Sequence, residues 1–279
     1  MEIADTTLFY SAFFLTLLAG LSTGIGATLA FFSHTNNHKF LSVGMGFSAG
    51  VMIYVSFGEI LIKAQNNFST IYGEIQGEAL TLLAFFGGFA LSALIDYLVP
   101  DDVNPHELKS DTELKELQQY DNRFQKQALK RTGIFTALAI GIHNFPEGFA
   151  TFVSALDGLM LGIPIALAIA IHNIPEGMAV SLPIYHATGD KKKAFYYALF
   201  SGIAEPVGAL LGFFLLLPLM GDITLGVTFG IVAGIMIYIS FDELLPAARL
   251  YGNAHTTIIG IALGMGVISF SLLLFKVIL

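Results

Sequence analysis

The sequence predicts an all-α, polytopic integral membrane protein of eight transmembrane helices, in which helices 1–3 and helices 6–8 are inverted copies that flank a central mirrored pair, helices 4 and 5. Of the 279 residues, 55% are hydrophobic and only 12% are charged, whereas about a quarter of the residues of a soluble domain are charged. The chain contains eight apolar runs of bilayer-spanning length, for which about 20 residues are needed. Two pairs of segments within these runs repeat one another.

Composition also excludes several classes of function. The formal net charge of −8 argues against a nucleic-acid partner, because proteins that bind nucleic acids present basic surfaces. The chain has no cysteine, so any bound metal must be held by nitrogen and oxygen ligands. We expect a single transmembrane domain over residues 1–279, with the lipid bilayer as its surroundings.

The predicted spans follow one another along the chain, with boundaries good to a few residues. Helices 4 and 5 are joined by only a few residues around Asp157 and Gly158, so they should run in opposite directions. The polar segment 99–132 is interpreted as a cytoplasmic loop, part of which, roughly 111–130, is compatible with a surface helix. The eight runs lie near 8–32, 40–62, 79–99, 133–156, 159–185, 194–218, 224–247 and 256–278.

The distribution of basic residues predicts the orientation in the membrane. Eleven of the 13 lysines and arginines fall in the loops on one side, and only Lys63 and Lys276 lie on the other side. The positive-inside rule makes the lysine- and arginine-rich side cytoplasmic. We therefore expect a multi-pass protein of the cell inner membrane, with its N- and C-termini outside the cytoplasm.

Two pairs of segments repeat at positions that require opposite orientations. AIGIHNFPEGFA (139–150) in helix 4 is similar to AIAIHNIPEGMA (168–179) in helix 5. AGVMIYVSFGEIL (49–61) in helix 2 is identical to AGIMIYISFDELL (233–245) in helix 7 at nine of 13 positions. In both pairs the two helices are an odd number of spans apart, so they run in opposite directions. Inverted repeats around a polar site at the midplane are a recurring plan of secondary transporters.

Each copy of the HNxPEG motif supplies an imidazole, an amide and a carboxylate at spacings that place all three on one helix face. A carboxylate near the bilayer centre costs about 2.5–3.5 kcal/mol, and no lysine or arginine lies in the central part of a predicted span to neutralise it. A third such carboxylate, in the sixth span, precedes Pro206. The candidate metal ligands are His143, Asn144, Glu147, His172, Asn173, Glu176 and Glu205.

The mixture of nitrogen and oxygen donors indicates the class of metal. Imidazole binds zinc and iron, and carboxylate oxygen also binds manganese, so the set suits zinc or ferrous iron, with manganese and cobalt tolerated. Because the donors outnumber the four of a tetrahedral zinc site, two adjacent sites that share Glu147 and Glu176 would use them better. Glu59 and Glu243, the repeated acids of helices 2 and 7, are either pathway acids at the two mouths or ordinary interfacial acids.

The sequence resembles the ZIP (Zrt-, Irt-like protein) family of metal transporters. The resemblance rests on HNFPEGFATFVSAL (143–156), HNIPEGMAVSLPIYHATG (172–189), SGIAE (201–205) and AGIMIYISFDELLP (233–246). It implies uptake into the cytoplasm of zinc and other divalent cations, such as iron, manganese, cobalt or cadmium, through a binuclear site completed by Glu205. The metal would then be a transported substrate rather than a cofactor. Members of this family are often described as dimers, so a homodimer is one expectation.

Two other functions are weaker alternatives to a carrier. A passive divalent-cation channel would use similar ligands without alternating access. An intramembrane metal-dependent hydrolase needs an open coordination position for water and often an HExxH signature, which the sequence lacks. We therefore expect no enzyme activity.

Overall fold

The computed structural model describes residues 6–32, 37–97, 122–216 and 221–278, and nearly all of these residues are helical. No strand occurs within these ranges. The α-helices found there are α1 (Thr6–Leu29), α2 (His38–Val55), α3 (Leu61–Tyr72), α4 (Glu74–Tyr97), α5 (Asn122–Asp157), α6 (Leu159–Thr188), α7 (Lys191–Leu211), α8 (Asp222–Ile239), α9 (Leu245–Tyr251) and α10 (Ala254–Ile278).

Two pairs of helices are joined end to end by π-helical segments at equivalent positions of the repeat. Ser56–Ile60 joins α2 to α3, and Ser240–Leu244 joins α8 to α9. The serine that begins each segment donates a hydrogen bond to the carbonyl oxygen four residues earlier, at 2.7 and 2.8 Å. The repeat therefore reproduces local backbone geometry as well as sequence. With each joined pair counted once, the described helices form eight rods, in agreement with the eight predicted spans.

Most of these rods are long and apolar enough to cross a membrane. Helix α5, the fourth rod, is not among the segments that reach this length and hydropathy within the described residues. Large apolar side chains such as Phe14 and Leu83 cover the outside of the bundle, which suits contact with lipid. The chain is thus a polytopic all-α membrane protein. Among the described residues, seven segments have the length and mean hydropathy of a membrane span: Thr6–Phe32, His38–Tyr72, Glu74–Leu94, Ile165–Thr188, Lys191–Phe214, Asp222–Leu250 and Ala254–Leu274.

Most of the predicted loop 99–132 lies outside the described residues, which stop at residue 97 and resume at residue 122. Helix α5 begins at Asn122, so the last residues of that segment are helical and continue into the fourth rod. At the other end of α5, Gly158 separates it from α6 and adopts a φ of +156°, a conformation that favours glycine. The chain reverses there, and α5 and α6 pack along each other.

The packing of the rods shows the two-fold pattern that the repeats predict. Helix α1 packs on α6, and its counterpart α7 packs on α5. Likewise, α10 packs on α2, and its counterpart α4 packs on α8. Helices α1 and α7 also touch each other through mirrored glycines. A Cβ added at Gly20 would collide with the carbonyl oxygen of Gly202, and a Cβ added at Gly202 would collide with that of Gly20. Small residues at such crossings allow close backbone contact, so Gly20 and Gly202 are equivalent positions of the two halves.

Candidate metal centre

Each histidine of the repeated motif lies beside the glutamate of the other copy. His143 Nε2 on α5 is 2.9 Å from Glu176 Oε1 on α6, and His172 Nε2 on α6 is 3.0 Å from Glu147 Oε1 on α5. Because α5 and α6 are antiparallel, the two contacts are related by an approximate two-fold axis. The four side chains are buried or nearly so. The two motifs therefore face each other across the α5–α6 interface.

The two asparagines attach this central pair to the outer halves. Asn144 Nδ2 donates a hydrogen bond to the carbonyl oxygen of Ser201 on α7, at 3.1 Å, and Asn173 Nδ2 donates to that of Ala19 on α1, at 2.9 Å. Each acceptor immediately precedes one of the two mirrored glycines, so these contacts are also equivalent. The amide nitrogens are thereby held by the backbone, and the amide oxygens stay available to a cation.

Glu205 of α7 brings a third carboxylate to the central pair. Its side chain is fully buried, and its Oε1 accepts a hydrogen bond from Asn173 Nδ2. A Cβ added at Gly148 would collide with the main-chain carbonyl of Glu205, so the glycine of the first motif allows α7 to approach α5 closely. The seven residues predicted as ligands therefore lie together where α5, α6 and α7 meet.

This cluster contains buried polar atoms that lack hydrogen-bond partners within the described part of the chain. Buried polar groups in native proteins are nearly always paired, so an accumulation of unpaired lone pairs indicates a place for a cation. No lysine or arginine in the described ranges forms an ion pair with the three glutamates. The atoms are His143 Nδ1, Asn144 Oδ1, Glu147 Oε2, His172 Nε2, Asn173 Oδ1, Glu176 Oε2 and Glu205 Oε2.

Comparisons with known proteins agree with this chemistry. The family profile described as ZIP Zinc transporter matches residues 100–272, a range that contains both motifs and Glu205. The chain belongs to the ZIP zinc transporter family.

Curated relatives match this ZIP protein over almost its whole length. It is 57% identical to the zinc transporter ZupT of Campylobacter jejuni subsp. jejuni, over 94% of this chain and 96% of the relative. It is 56% identical to the zinc transporter ZupT of Clostridium perfringens, over 95% of each chain. The zinc transporter ZupT of Streptococcus mutans is also 56% identical, over 95% of this chain and 98% of the relative. All three are named as transporters, which confirms the prediction that the chain is not an enzyme.

A cavity of about 280 Å³ connects the motifs of this ZIP protein with the junction of α2 and α3. Its lining includes Glu147 and His172 at the motifs, and Glu59, Lys63 and Asn66 near the junction. Lys63 Nζ donates a hydrogen bond to Glu59 Oε1 at 2.8 Å. One of the two predicted pathway acids thus lines a cavity that also reaches two predicted ligands.

The second predicted pathway acid, Glu243, lies in a different setting. It is buried in the segment between α8 and α9, and its carboxylate lies within 4.8 Å of those of Asp96 and Asp242. We call these three residues the acidic cluster. Arg131 Nη2 is 3.7 Å from Asp96 Oδ1, and the Tyr238 hydroxyl donates to Asp96 Oδ2 at 3.4 Å. The repeated glutamate is therefore surrounded by different charges at the two ends of the bundle.

Sequence reasoning did not find the acidic cluster. One signal was available, because Asp242 stands where the first repeat has Gly58, a change of charge within otherwise matching segments. Asp96 and Arg131 carry no comparable signal. They belong to different helices, and only the packing of α4 and α5 against α8 brings them near Glu243.

Proposed function

We propose that this chain is an uptake carrier that moves divalent transition-metal ions, mainly zinc, across the inner membrane into the cytoplasm. The observation that supports this best is the crosswise pairing of His143 with Glu176 and of His172 with Glu147. Imidazole and carboxylate together suit zinc, which is also the metal in the names of the relatives. Iron(II), manganese, cobalt and cadmium ions accept the same donors and are the proposed secondary substrates.

Two ions bind side by side between α5 and α6 in this proposal. Each histidine–glutamate pair offers one nitrogen and one oxygen ligand from two different helices. The oxygens of Asn144 and Asn173 and the carboxylate of Glu205 add further donors, so the set is too large for one tetrahedral site. An entering ion binds between the histidine nitrogen and the carboxylate oxygen of a pair, and the buried negative charges stay compensated.

Alternating access explains why the ligand site is symmetric while a cavity extends to it from only one end of the bundle. The cavity lined by Glu59 extends to Glu147 and His172. A smaller cavity of about 90 Å³ is lined by Asp96 and Glu243, and none of the seven ligand residues is among the described residues that line it. If the mirrored halves exchange conformations, the site opens toward the opposite side. Saturable and strongly temperature-dependent flux would favour such a carrier over a passive channel.

Zinc uptake by the purified protein in liposomes tests the substrate and the site together. Glu147→Gln and Glu176→Gln keep the side-chain shape but remove a buried negative charge, so we expect each to abolish most of the flux. The matched control is Glu74→Gln, at an exposed glutamate of α4, which should leave the flux unchanged. Competition by the other four metals ranks the secondary substrates. Normal zinc flux in both motif variants would show that the metal does not pass between α5 and α6.

The resemblance to ZIP transporters implies uptake, and the positive-inside rule predicts that the Glu59 mouth lies outside the cytoplasm. Because the chain has no cysteine, single cysteines can be labelled one at a time in spheroplasts with a membrane-impermeant maleimide. We expect labelling of Thr70→Cys on α3 in intact spheroplasts. Lys192→Cys on α7 should be labelled only after permeabilisation. The opposite pattern would reverse the proposed orientation.

A further inference from the structure

The ligand cluster departs from two-fold symmetry at the position of its third carboxylate. Gly148 of the first motif packs against the main-chain carbonyl of Glu205 on α7, and Gly177 of the second motif packs against that of Thr23 on α1. The carbonyl acceptors of the two motif asparagines likewise lie four residues before Glu205 and four residues before Thr23. Two independent sets of contacts therefore make Thr23 the mirror counterpart of Glu205.

The hydroxyl of Thr23 is not used by the helix that carries it. Thr23 is fully buried, and its Oγ1 has no hydrogen-bond partner among the described residues. Thr16 and Thr28 of the same helix donate to main-chain carbonyl oxygens one turn earlier, which is the usual arrangement of a helical threonine. Thr23 Oγ1 instead lies against Gly202 of α7, where an added Cβ would be only 2.7 Å from it. Gly202 directly follows the residue whose carbonyl holds the ligand Asn144.

We propose that Thr23 sets how tightly the transported metal is held, because it keeps the mirror position of Glu205 uncharged. The outer halves then supply one carboxylate to the ligand cluster, from Glu205, and a neutral hydroxyl on the mirror side. Transport requires binding that is strong enough for capture and weak enough for release. The carboxylate of Glu205 favours capture, and the uncharged Thr23 favours release. This inference rests on the proposed function and names the residue that sets how tightly the substrate is held.

The first test moves the third carboxylate to the mirror side. Glu205→Thr removes this carboxylate and should raise the KM for zinc by about tenfold or more. The double variant Glu205→Thr/Thr23→Glu restores a carboxylate at the equivalent position and should recover most of the lost affinity. Both are measured as initial rates of zinc uptake in liposomes. A folded double variant that is no better than Glu205→Thr alone overturns the proposal.

The second test separates charge from size at the Thr23 position. Thr23→Glu should lower both KM and Vmax for zinc, because a fourth carboxylate in the cluster makes it bind the metal tightly and release it slowly. Thr23→Gln has nearly the same volume without the charge and should change both constants less. Equal effects of the two substitutions would show that only packing matters there. Size-exclusion elution and thermal unfolding establish which variants fold, and Thr23→Asp with Thr23→Asn replaces the longer pair if Thr23→Glu does not fold.

Failure of this inference can be told apart from failure of the proposed function. If the wild-type protein does not move zinc, the proposed function is wrong. If the wild type moves zinc and Glu147→Gln does not, while Thr23→Glu and Thr23→Gln behave alike, only the role of Thr23 is wrong.

Discussion

The two inverted halves of this transporter agree at the centre of the bundle and differ toward its ends. At the centre, the two histidine–glutamate distances are 2.9 and 3.0 Å, and each asparagine donates to a mirrored carbonyl oxygen. Toward the ends, Glu59 pairs with Lys63, whereas its counterpart Glu243 lies beside Asp96 and Asp242. We infer that the repeated motifs determine the ligand geometry, whereas the charged residues near Glu59 and Glu243 determine how each end of the bundle interacts with the metal.

The largest expected effect comes from breaking the symmetric centre. His143→Ala and His172→Ala each remove one imidazole and leave the glutamate of the opposite helix without its partner. Each should weaken zinc binding by about 100-fold or more, because changing even the outer-shell partners of metal ligands costs about 10–100-fold. The two losses should be similar, because the two histidine–glutamate distances are nearly equal. Calorimetric titration of the purified protein with zinc measures both, and a large inequality would argue against a functional symmetry.

A smaller effect is expected where the symmetry is already broken. Asn173 donates both to Ala19 and to Glu205, whereas Asn144 donates to Ser201. Asn173→Ala should therefore weaken zinc binding by about tenfold, and Asn144→Ala should weaken it less. Each variant also removes one buried hydrogen bond between helices, at a cost of about 0.5–1.5 kcal/mol in folding stability. Zinc titration measures the loss of affinity, and thermal unfolding measures the loss of folding stability. Equal losses of affinity in the two variants would mean that the contact with Glu205 is unimportant for binding.

The two mouths should affect different kinetic constants. Glu59 lines the cavity that reaches the motifs, so Glu59→Gln should raise the KM for zinc about threefold with little change in Vmax, because a negative mouth concentrates cations. Glu243 lies in the acidic cluster on the proposed exit side, so Glu243→Gln should lower Vmax with little change in KM. Uptake rates over a range of zinc concentrations distinguish the two outcomes. The same pattern in both variants would contradict the proposed entry and exit roles.

The smallest expected effect concerns the lysine at the entry mouth. The Lys63 and Glu59 side chains are 40% and 27% exposed, so their ion pair is largely screened by solvent. Lys63→Met removes a positive charge from a cation pathway and should lower the KM for zinc by about twofold at low ionic strength, with the difference fading as salt is added. Lys39→Met, at an exposed position of α2, is the matched control. A raised KM in Lys63→Met would mean that the lysine assists entry.

The sequence predicts those features that depend on local patterns. The apolar runs predict where the rods lie, and the repeated strings predict the inversion, because each run and each copy of a repeat can be recognised within one continuous stretch of sequence. The pairing of His143 with Glu176 depends on how far α5 is shifted along α6, and no local pattern encodes that shift. Thr23 and Glu205 share no chemical likeness, so their equivalence is visible only in the glycine contacts around them. Asp96 of the acidic cluster likewise acquires its neighbours through packing.

Anomalous X-ray diffraction at the zinc edge, from crystals grown with zinc, would locate the bound metal directly. We expect two zinc ions between α5 and α6, with nitrogen and oxygen ligands at about 2.0–2.2 Å. Glu147 and Glu176 should contact both ions, and Glu205 should contact only one of them. Zinc bound only outside the α5–α6 interface, or a single ion held symmetrically without Glu205, would contradict the proposed binuclear site.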